Sequence, residues 1–423
     1  MESLFCLSIA VIAGLLLSRL AKKLQLPAVT AYLIAGILIG PYVLGHLGVP
    51  GLGFVSIDNV KEYSVFCDVA LGFIAFDIGN EFRISQLKRI GKQAAIVAVI
   101  QGCNATLLVD VILIGLHFLM PDVISLPSAL VLGSIAAATA PASTLMVVKQ
   151  YKAKGPLTDM LLPVVAIDDA VCLIVYAVSF GISRAMISGS ISLVSVLVEP
   201  LAEIFGSLLL GAVMGYILTY LEKHFDSNSK RLSIIIAFVM ITVALSMLTF
   251  EIGGVHIGFS SLLVCMMCGT VFCNTCNFSE DMMGRANKWT APLYVLFFAL
   301  SGAELELSVF SSAAIILVGV AYVLARSAGK IWGATAGCTL MHCDNKVRKY
   351  LGVTLLPQEG VALGMSMKAA AALGSTGQVI RNIVLFGVLV YELVGPLMTK
   401  IALKKAGEIS PRPEIIKQAN VRG

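Results

Sequence analysis

Long apolar stretches alternate with short polar segments along nearly the whole chain. A membrane-spanning helix needs roughly 20 apolar residues, and on that criterion we count about thirteen candidate spans. The pattern therefore predicts an all-α, polytopic membrane protein, formed by a single membrane domain over residues 1–405. The approximate limits of the predicted spans are 3–20, 27–45, 62–80, 92–118, 127–148, 157–183, 197–221, 232–250, 255–275, 289–306, 309–340, 350–374 and 383–403.

The first apolar stretch is predicted to be a transmembrane helix and not a signal peptide. Arg19, Lys22 and Lys23 stand at or after its end, whereas a signal peptide carries its positive charges before the apolar run. The polar segment over residues 406–423 is short. We therefore expect only a cytoplasmic tail there, without a nucleotide-binding regulatory module.

The positive charges predict the orientation of the spans. If the N-terminus lies outside, the cytoplasmic segments hold 24 of the 30 Lys and Arg residues, and the outer loops hold only Lys61, Arg184 and Arg381. Cytoplasmic loops of membrane proteins carry such an excess. The sequence thus predicts an outside N-terminus and an inside C-terminus.

Composition supports a membrane location. Hydrophobic residues make up 58% of the chain and charged residues 13%, whereas about 25% of the residues of a soluble domain are charged. The net charge of +5 follows from the orientation signal, so no nucleic-acid partner is expected. The ten cysteines lack the spacing of a zinc site, and we expect no transition metal and no cofactor.

Two predicted helices end in the same short motif. The third ends in Gly79-Asn-Glu81-Phe and the tenth in Gly302-Ala-Glu304-Leu, 223 residues later. The charge pattern places the two endings on opposite sides of the membrane. This arrangement predicts inverted repeats, which are typical of alternating-access transporters.

The fifth predicted helix carries a residue that breaks regular helix. Pro141 removes a backbone donor, and Thr139 and Ser143 place hydroxyl groups beside it. An unwound turn there would present oxygen ligands that suit a hard cation such as Na⁺. A simple proline kink is the alternative.

The twelfth predicted helix contains a corresponding break. Gln358 and Glu359 precede Gly360, so polar groups are expected near the middle of the membrane. The repeat offset also brings Asp168 into register with Tyr391, beside Glu392. Each half therefore pairs a broken helix with a helix that carries a buried acid.

Asp168 and Asp169 stand side by side about eleven residues into the sixth predicted span. Each charge at such a depth costs several kcal/mol on insertion. Burial and a neighbouring negative charge both favour protonation of a carboxyl group, so a proton can compete with a cation for the same oxygens. The pair therefore predicts a site for cation and proton exchange; a structural charge pair or a helix cap is the alternative.

Two basic residues lie inside the eleventh predicted span. Arg326 and Lys330 are four residues apart and so share one helix face. Lys330 lies roughly 15 Å from the nearer helix end, too far to extend easily to the membrane surface. A buried cation needs a carboxylate partner, and Asp168 is the candidate partner of Lys330.

An ordered set of motifs resembles the monovalent cation:proton antiporter-2 family. The resemblance covers essentially the second to the thirteenth predicted helix. Its motifs are Pro27-Ala-Val-Thr-Ala-Tyr-Leu-Ile-Ala-Gly-Ile-Leu-Ile-Gly-Pro41, Thr139-Ala-Pro-Ala-Ser-Thr, Asp168-Asp169, Leu356-Pro-Gln-Glu-Gly-Val-Ala-Leu-Gly and Tyr391-Glu-Leu-Val-Gly-Pro.

This resemblance implies a homodimer in which a mobile core moves against a dimerisation scaffold, with the fifth and twelfth helices broken and crossed in the core. It implies that Asp169 is the principal carrier and that Asp168 pairs with Lys330. Glu359 departs from the family pattern, which leaves the stoichiometry and the preferred ion open. The implied boundaries are 92–183 and 309–403 for the core, 3–80 and 232–306 for the scaffold, and 197–221 for the linker helix.

The predicted function is secondary active exchange of a monovalent cation, first Na⁺, for protons at Asp169 and Asp168 in the cell membrane, with a role in pH homeostasis. Potassium:proton exchange and, more remotely, sodium-coupled uptake of an organic anion are the alternatives. An intramembrane aspartyl hydrolase is disfavoured, because adjacent aspartates on one helix cannot converge on one proton. The predicted supporting residues of the ion site are Thr139, Pro141, Ser143, Arg326, Lys330, Gln358 and Glu359.

Overall fold

The structure is a computed structural model, and it describes residues 2–24, 26–49, 53–80, 82–188, 198–252, 255–305 and 312–409. These residues form sixteen α-helices, a 3-10 turn at Gly45–Leu47 and one pair of short strands. The helices are α1 Glu2–Lys23, α2 Ala28–Ile39, α3 Ile57–Lys61, α4 Ser64–Asn80, α5 Ile84–Leu119, α6 Leu126–Ile135, α7 Pro141–Tyr151, α8 Pro156–Ser188, α9 Glu199–Glu222, α10 Asn228–Ser246, α11 Ser261–Thr275, α12 Ser279–Glu304, α13 Ala313–Leu340, α14 Asn345–Thr354, α15 Gly360–Ala372 and α16 Gly374–Ala406.

Each predicted span coincides with a helix or with a pair of shorter helices. Within the described ranges, seven helices are long and apolar enough to cross a membrane, namely α1, α5, α8, α9, α10, α13 and α16. The helices α2, α6 and α11 are apolar but shorter. The prediction of a helical, multi-pass architecture is therefore confirmed.

A short hairpin replaces helix where the eighth and ninth spans were predicted to meet. Strand β1 (Phe250–Ile252) pairs antiparallel with β2 (Val255–Ile257), so helix α11 begins at Ser261 and not at residue 255. The predicted span limits were wrong here. The sequence between the strands is Gly-Gly, and such a dipeptide between β-branched residues is a hairpin signal that the apolar pattern concealed.

Two helix pairs in the first and third quarters of the chain approach each other closely. Gly79 of α4 lies against the backbone of Met266 in α11, and Gly302 of α12 lies against the backbone of Leu33 in α2. A side chain at either glycine would collide with the partner backbone. The two glycines of the repeated motif thus make equivalent contacts, whereas Glu81 lies outside the described residues.

Helices α5 and α13 pack along each other and position the candidate site. Gly329 of α13 lies against the backbone of Ala105 in α5, and the Asn104 side chain donates a hydrogen bond to the Gly329 carbonyl at 2.8 Å. Small residues allow such close approach between membrane helices. Lys330, the next residue, is fully buried as a result.

Both predicted helix breaks are present, and they touch. The chain is irregular over residues 136–140, between α6 and α7, and over residues 355–359, between α14 and α15. The Ala140 N–H donates to the Pro357 carbonyl at 2.8 Å, and the Gln358 side-chain amide donates to the Ile135 carbonyl at 3.0 Å. The free backbone groups of each break are therefore partly satisfied by the other.

Candidate functional site

Asp168 forms a buried ion pair with Lys330. The Lys330 Nζ atom lies 2.8 Å from Asp168 Oδ2, and neither side chain is exposed. The Thr139 hydroxyl accepts a hydrogen bond from Lys330 at 2.8 Å and donates one to Asp168 Oδ2, while the Gln101 amide donates to Asp168 Oδ1. Asp168 is therefore neutralised by a cation and hydrogen-bonded at both oxygens.

The two cations of α13 bind the carbonyl groups of the first break. Lys330 donates to the Ala137 carbonyl. Arg326 donates to the Ala136 carbonyl at 3.0 Å and to the Ala138 carbonyl at 2.5 Å. These groups lie just after the C-terminal end of α6, where unpaired carbonyls and the helix dipole favour positive charge.

Arg326 also joins the first break to the second. Its guanidinium donates to the Leu356 carbonyl at 2.7 Å and lies 4.4 Å from the centre of the Tyr391 ring. The sequence predicts break carbonyls that face a transported cation. Instead, the carbonyls of residues 136–138 and 356 accept hydrogen bonds from side chains of α13, because the buried guanidinium and ammonium groups need acceptors.

Asp169 has the opposite environment to Asp168. It is 2% exposed, and neither carboxylate oxygen has a hydrogen-bond partner among the described residues. Adjacent helical residues point about 100° apart, so Asp169 cannot share the position of Asp168 beside Lys330. Ala166 and Leu173, one turn away on either side, pack in the apolar cluster that contains Phe73 of α4 and residues of α7.

Gln358 braces the second break. Besides its bond to Ile135, its amide nitrogen lies 2.9 Å from the hydroxyl of the buried Tyr322. The side chain holds the two breaks together in this arrangement and does not face the Asp168–Lys330 pair.

Glu359 and Pro141 lie on the other side of the breaks. Glu359 is 6% exposed, and its carboxylate faces the backbone N–H of Ser143 in the first turn of α7, without a hydrogen bond of normal geometry. Glu359 and Pro141 line a cavity of about 340 Å³ together with Glu392. The predicted site residues thus divide into two groups. Asp168, Lys330, Thr139 and Arg326 meet at the breaks, whereas Glu359, Pro141 and Ser143 lie toward the cavity.

Gln101 was missed by the sequence reasoning, although it contacts Asp168 directly. Its signal was a polar residue inside the long apolar stretch of α5. Asp77 was also missed. It forms an ion pair with Lys149 of α7, and Asn287 of α12 bonds to both, at 2.9 Å from Lys149 and 3.0 Å from Asp77.

Comparison with known proteins adds family information to this geometry. A family model described as the transmembrane sodium/hydrogen exchanger matches residues 7–405. The chain is 25% identical over 412 residues to the Na⁺/H⁺ antiporter NhaS4 of Synechocystis sp., covering 93% of this chain and 96% of that protein. It is 22% identical over 406 residues to the high-affinity Na⁺/H⁺ antiporter NhaS3 of the same organism, covering 86% and 84%.

The fold resembles that of a solved transporter. The electron-microscopy structure of the sodium proton antiporter MjNhaP1 from Methanocaldococcus jannaschii matches with a TM-score of 0.74 and 19% sequence identity. The match covers 96% of this chain and 98% of that protein. At this identity the likeness establishes a shared fold over the whole chain.

Proposed function

The chain belongs to the family of transmembrane sodium/hydrogen exchangers, and on this basis we propose that it exchanges Na⁺ for protons at the carboxylate of Asp169. Membership makes it a multi-pass membrane transporter and not an enzyme. Its relatives in Synechocystis are named Na⁺/H⁺ antiporters, which supports Na⁺ and H⁺ as its substrates. Its place within the antiporter-2 subfamily rests on the motifs alone.

One observation carries the assignment of the site. Asp168 and Asp169 are both buried, but only Asp168 has a counter-ion and hydrogen-bond donors. A buried carboxylate without a partner is strongly disfavoured. Asp169 therefore needs either a proton or a cation at every stage of its cycle. Because the two ligands use the same oxygens, binding of one releases the other, and this competition is the exchange reaction.

Asp168 and Lys330 support this site as a second, coupled element. A Na⁺ ion that bridges both aspartates competes with the Lys330 ammonium for Asp168. If Na⁺ displaces the ammonium, Lys330 loses its buried counter-ion and favours release of its own proton. Exchange that involves Lys330 would then move net charge. If the pair stays intact, exchange at Asp169 alone moves one proton for each Na⁺.

The protein is proposed to work by alternating access between inverted repeats. The equivalent contacts of Gly79 and Gly302 support the repeat. The two touching breaks support a pair of crossed, interrupted helices, formed by α6–α7 and α14–α15. The distribution of Lys and Arg supports about thirteen spans, with the N-terminus outside.

We assign α5–α8 and α13–α16 to a moving core, α1–α4 and α10–α12 to a scaffold, and α9 to the link between them. The triad of Asp77, Lys149 and Asn287 joins α7 of the core to α4 and α12 of the scaffold. Polar contacts of this kind can break and reform when one body moves against another. A homodimer built on the scaffold, with elevator-like movement of the core, completes the proposal.

The experiment is reconstitution of the purified protein into proteoliposomes that contain a pH-sensitive dye. A proton gradient is imposed, and Na⁺, K⁺ or Li⁺ is then added in turn, with and without a clamped membrane potential. Dissipation by Na⁺ is the expected result. Dissipation by K⁺ alone would replace Na⁺ with K⁺ in the assignment. If no monovalent cation dissipates the gradient, exchange is refuted, and uptake of labelled organic anions tests the symporter alternative.

A further inference from the structure

A cavity separate from the Asp168–Lys330 pair lies between core and scaffold. Its volume is about 340 Å³. Four carboxyl groups line it, two from the core and two from the scaffold, and neither Asp168 nor Asp169 is among its lining residues. In the proposed orientation it lies toward the outer face. The carboxyl groups belong to Glu359 and Glu392 of the core and to Asp68 and Glu304 of the scaffold.

The two core acids are almost completely removed from solvent. Glu359 is 6% exposed and Glu392 is 3% exposed. Both oxygens of Glu359 and the Oε2 atom of Glu392 lack a hydrogen-bond partner among the described residues. The charged groups that act on Glu392 are Glu359 first and Glu304 second, so the two buried carboxyl groups are neighbours.

The basic residues of the cavity do not neutralise this pair. Lys61 lies 3.9 Å from Asp58, and Arg381 has an interaction of its own. Neither Glu359 nor Glu392 forms an ion pair within the part of the chain that the structure describes. Cys67 of α4 completes the titratable groups around the cavity. Two neighbouring buried carboxylates cannot both stay charged without a cation between them.

We propose that Glu359 and Glu392 share one exchangeable proton and form a second proton site, in addition to Asp169. The inference rests on the proposed function, because it adds a proton to the same transport cycle. The proton comes from water in the cavity and binds one carboxylate oxygen, while an oxygen of the other carboxylate accepts the resulting hydrogen bond. The pair then carries one negative charge instead of two.

The surroundings favour a proton over a metal cation. Among the described residues, no three His, Cys, Asp or Glu side chains come together as a metal site. Much of the remaining cavity wall is apolar, with Leu262, Phe297, Leu363 and Leu385. A shared proton needs only the two carboxyl groups, whereas Na⁺ needs several more oxygen ligands.

Both acids belong to core elements, and this determines what the proton does. Glu359 precedes α15 and Glu392 lies in α16, whereas Asp68 and Glu304 belong to scaffold helices. When the core moves, the shared proton moves with Asp169. The pair therefore adds one proton to each cycle, and we expect the number of protons exchanged per Na⁺ to fall by one when either glutamate is replaced.

The test compares full-length wild type with Glu359→Gln, Glu392→Gln and the double variant. Infrared difference spectra between acid and alkaline pH detect the carbonyl stretch of a protonated carboxyl group. We expect each single variant to lose the same band and the double variant to lose no more, because the proton is shared. Unchanged bands, or additive losses, would overturn the proposal. This measurement needs no transport, so it decides the claim even if Na⁺ exchange itself fails.

The proton count is measured in proteoliposomes as the Na⁺ gradient that balances proton flux at a clamped potential. Asp110→Asn is the matched control, since Asp110 is another partly buried acid with an unpartnered oxygen and does not line the cavity. We expect a lower count in both single variants and the wild-type count in the control. Normal exchange in wild type with an unchanged count in the variants would refute the second site alone. Binding of ²²Na⁺ to Asp169→Asn protein that is lost with Glu359→Gln would assign the cavity to Na⁺ instead.

Discussion

The Nζ atom of Lys330 lies 2.8 Å from Oδ2 of Asp168, and both side chains are fully buried. These residues are 162 positions apart in the chain and come from different halves of the molecule. Their pairing separates the roles of two adjacent acids. Asp168 is neutralised by protein, and Asp169 is left for a mobile ligand.

Removal of one member of this pair is expected to destabilise the protein strongly. Lys330→Met leaves Asp168 buried with an uncompensated charge, and breaking a buried pair in this way costs about 3–5 kcal/mol. Asp168→Asn combined with Lys330→Met removes both charges and should recover most of that loss. Thermal unfolding in detergent measures both. A double variant no more stable than Lys330→Met would contradict the ion pair as the source of the effect.

Arg326 is expected to be irreplaceable by lysine. Its planar guanidinium bonds to carbonyls of both breaks, at Ala136, Ala138 and Leu356, and one ammonium group cannot reproduce that geometry. Arg326→Lys should therefore lower the unfolding temperature clearly.

The control for this variant is Arg285→Lys. Arg285 forms an exposed pair with Asp281, four residues away, at 2.9 Å, and exposed pairs contribute at most about 1 kcal/mol. Equal melting temperatures for the two lysine variants would contradict the bridging role of Arg326.

The triad of Asp77, Lys149 and Asn287 is expected to hold one conformation of the core. Lys149→Met removes the ammonium that bonds to both other residues. Contacts between α7 and α4 should then open more often. The measurement is the labelling rate of a cysteine placed at Met146, which lines a cavity beside Lys149. Faster labelling in Lys149→Met than in Lys149→Arg is the expected result, and equal rates would contradict it.

The local signals in the sequence predicted the elements that carry the site. Pro141 and Gly360 marked breaks that the structure contains, and the apolar stretches located the helices. Turn chemistry was the exception, because the apolar run around residues 250–257 concealed a hairpin. A membrane-length window averages over so short an element.

The partners of the site residues depended on long-range packing and could not be predicted in the same way. The sequence suggested Lys330 for Asp168, since a buried cation needs an acid, but it gave no reason to choose Gln101. It also predicted break carbonyls that face an ion, whereas Arg326 and Lys330 bind them. The lack of any partner at Asp169 is visible only once all the neighbouring helices are placed.

The account is tested most directly by Na⁺-driven proton movement in proteoliposomes that contain Asp169→Asn. An amide cannot take up and release a proton in this range, and it binds Na⁺ less well than a carboxylate. We predict that Asp169→Asn abolishes proton movement on addition of Na⁺, while Asp110→Asn retains it at the same amount of reconstituted protein. Exchange by Asp169→Asn at a rate close to that of wild type would contradict the central claim that Asp169 carries both ions.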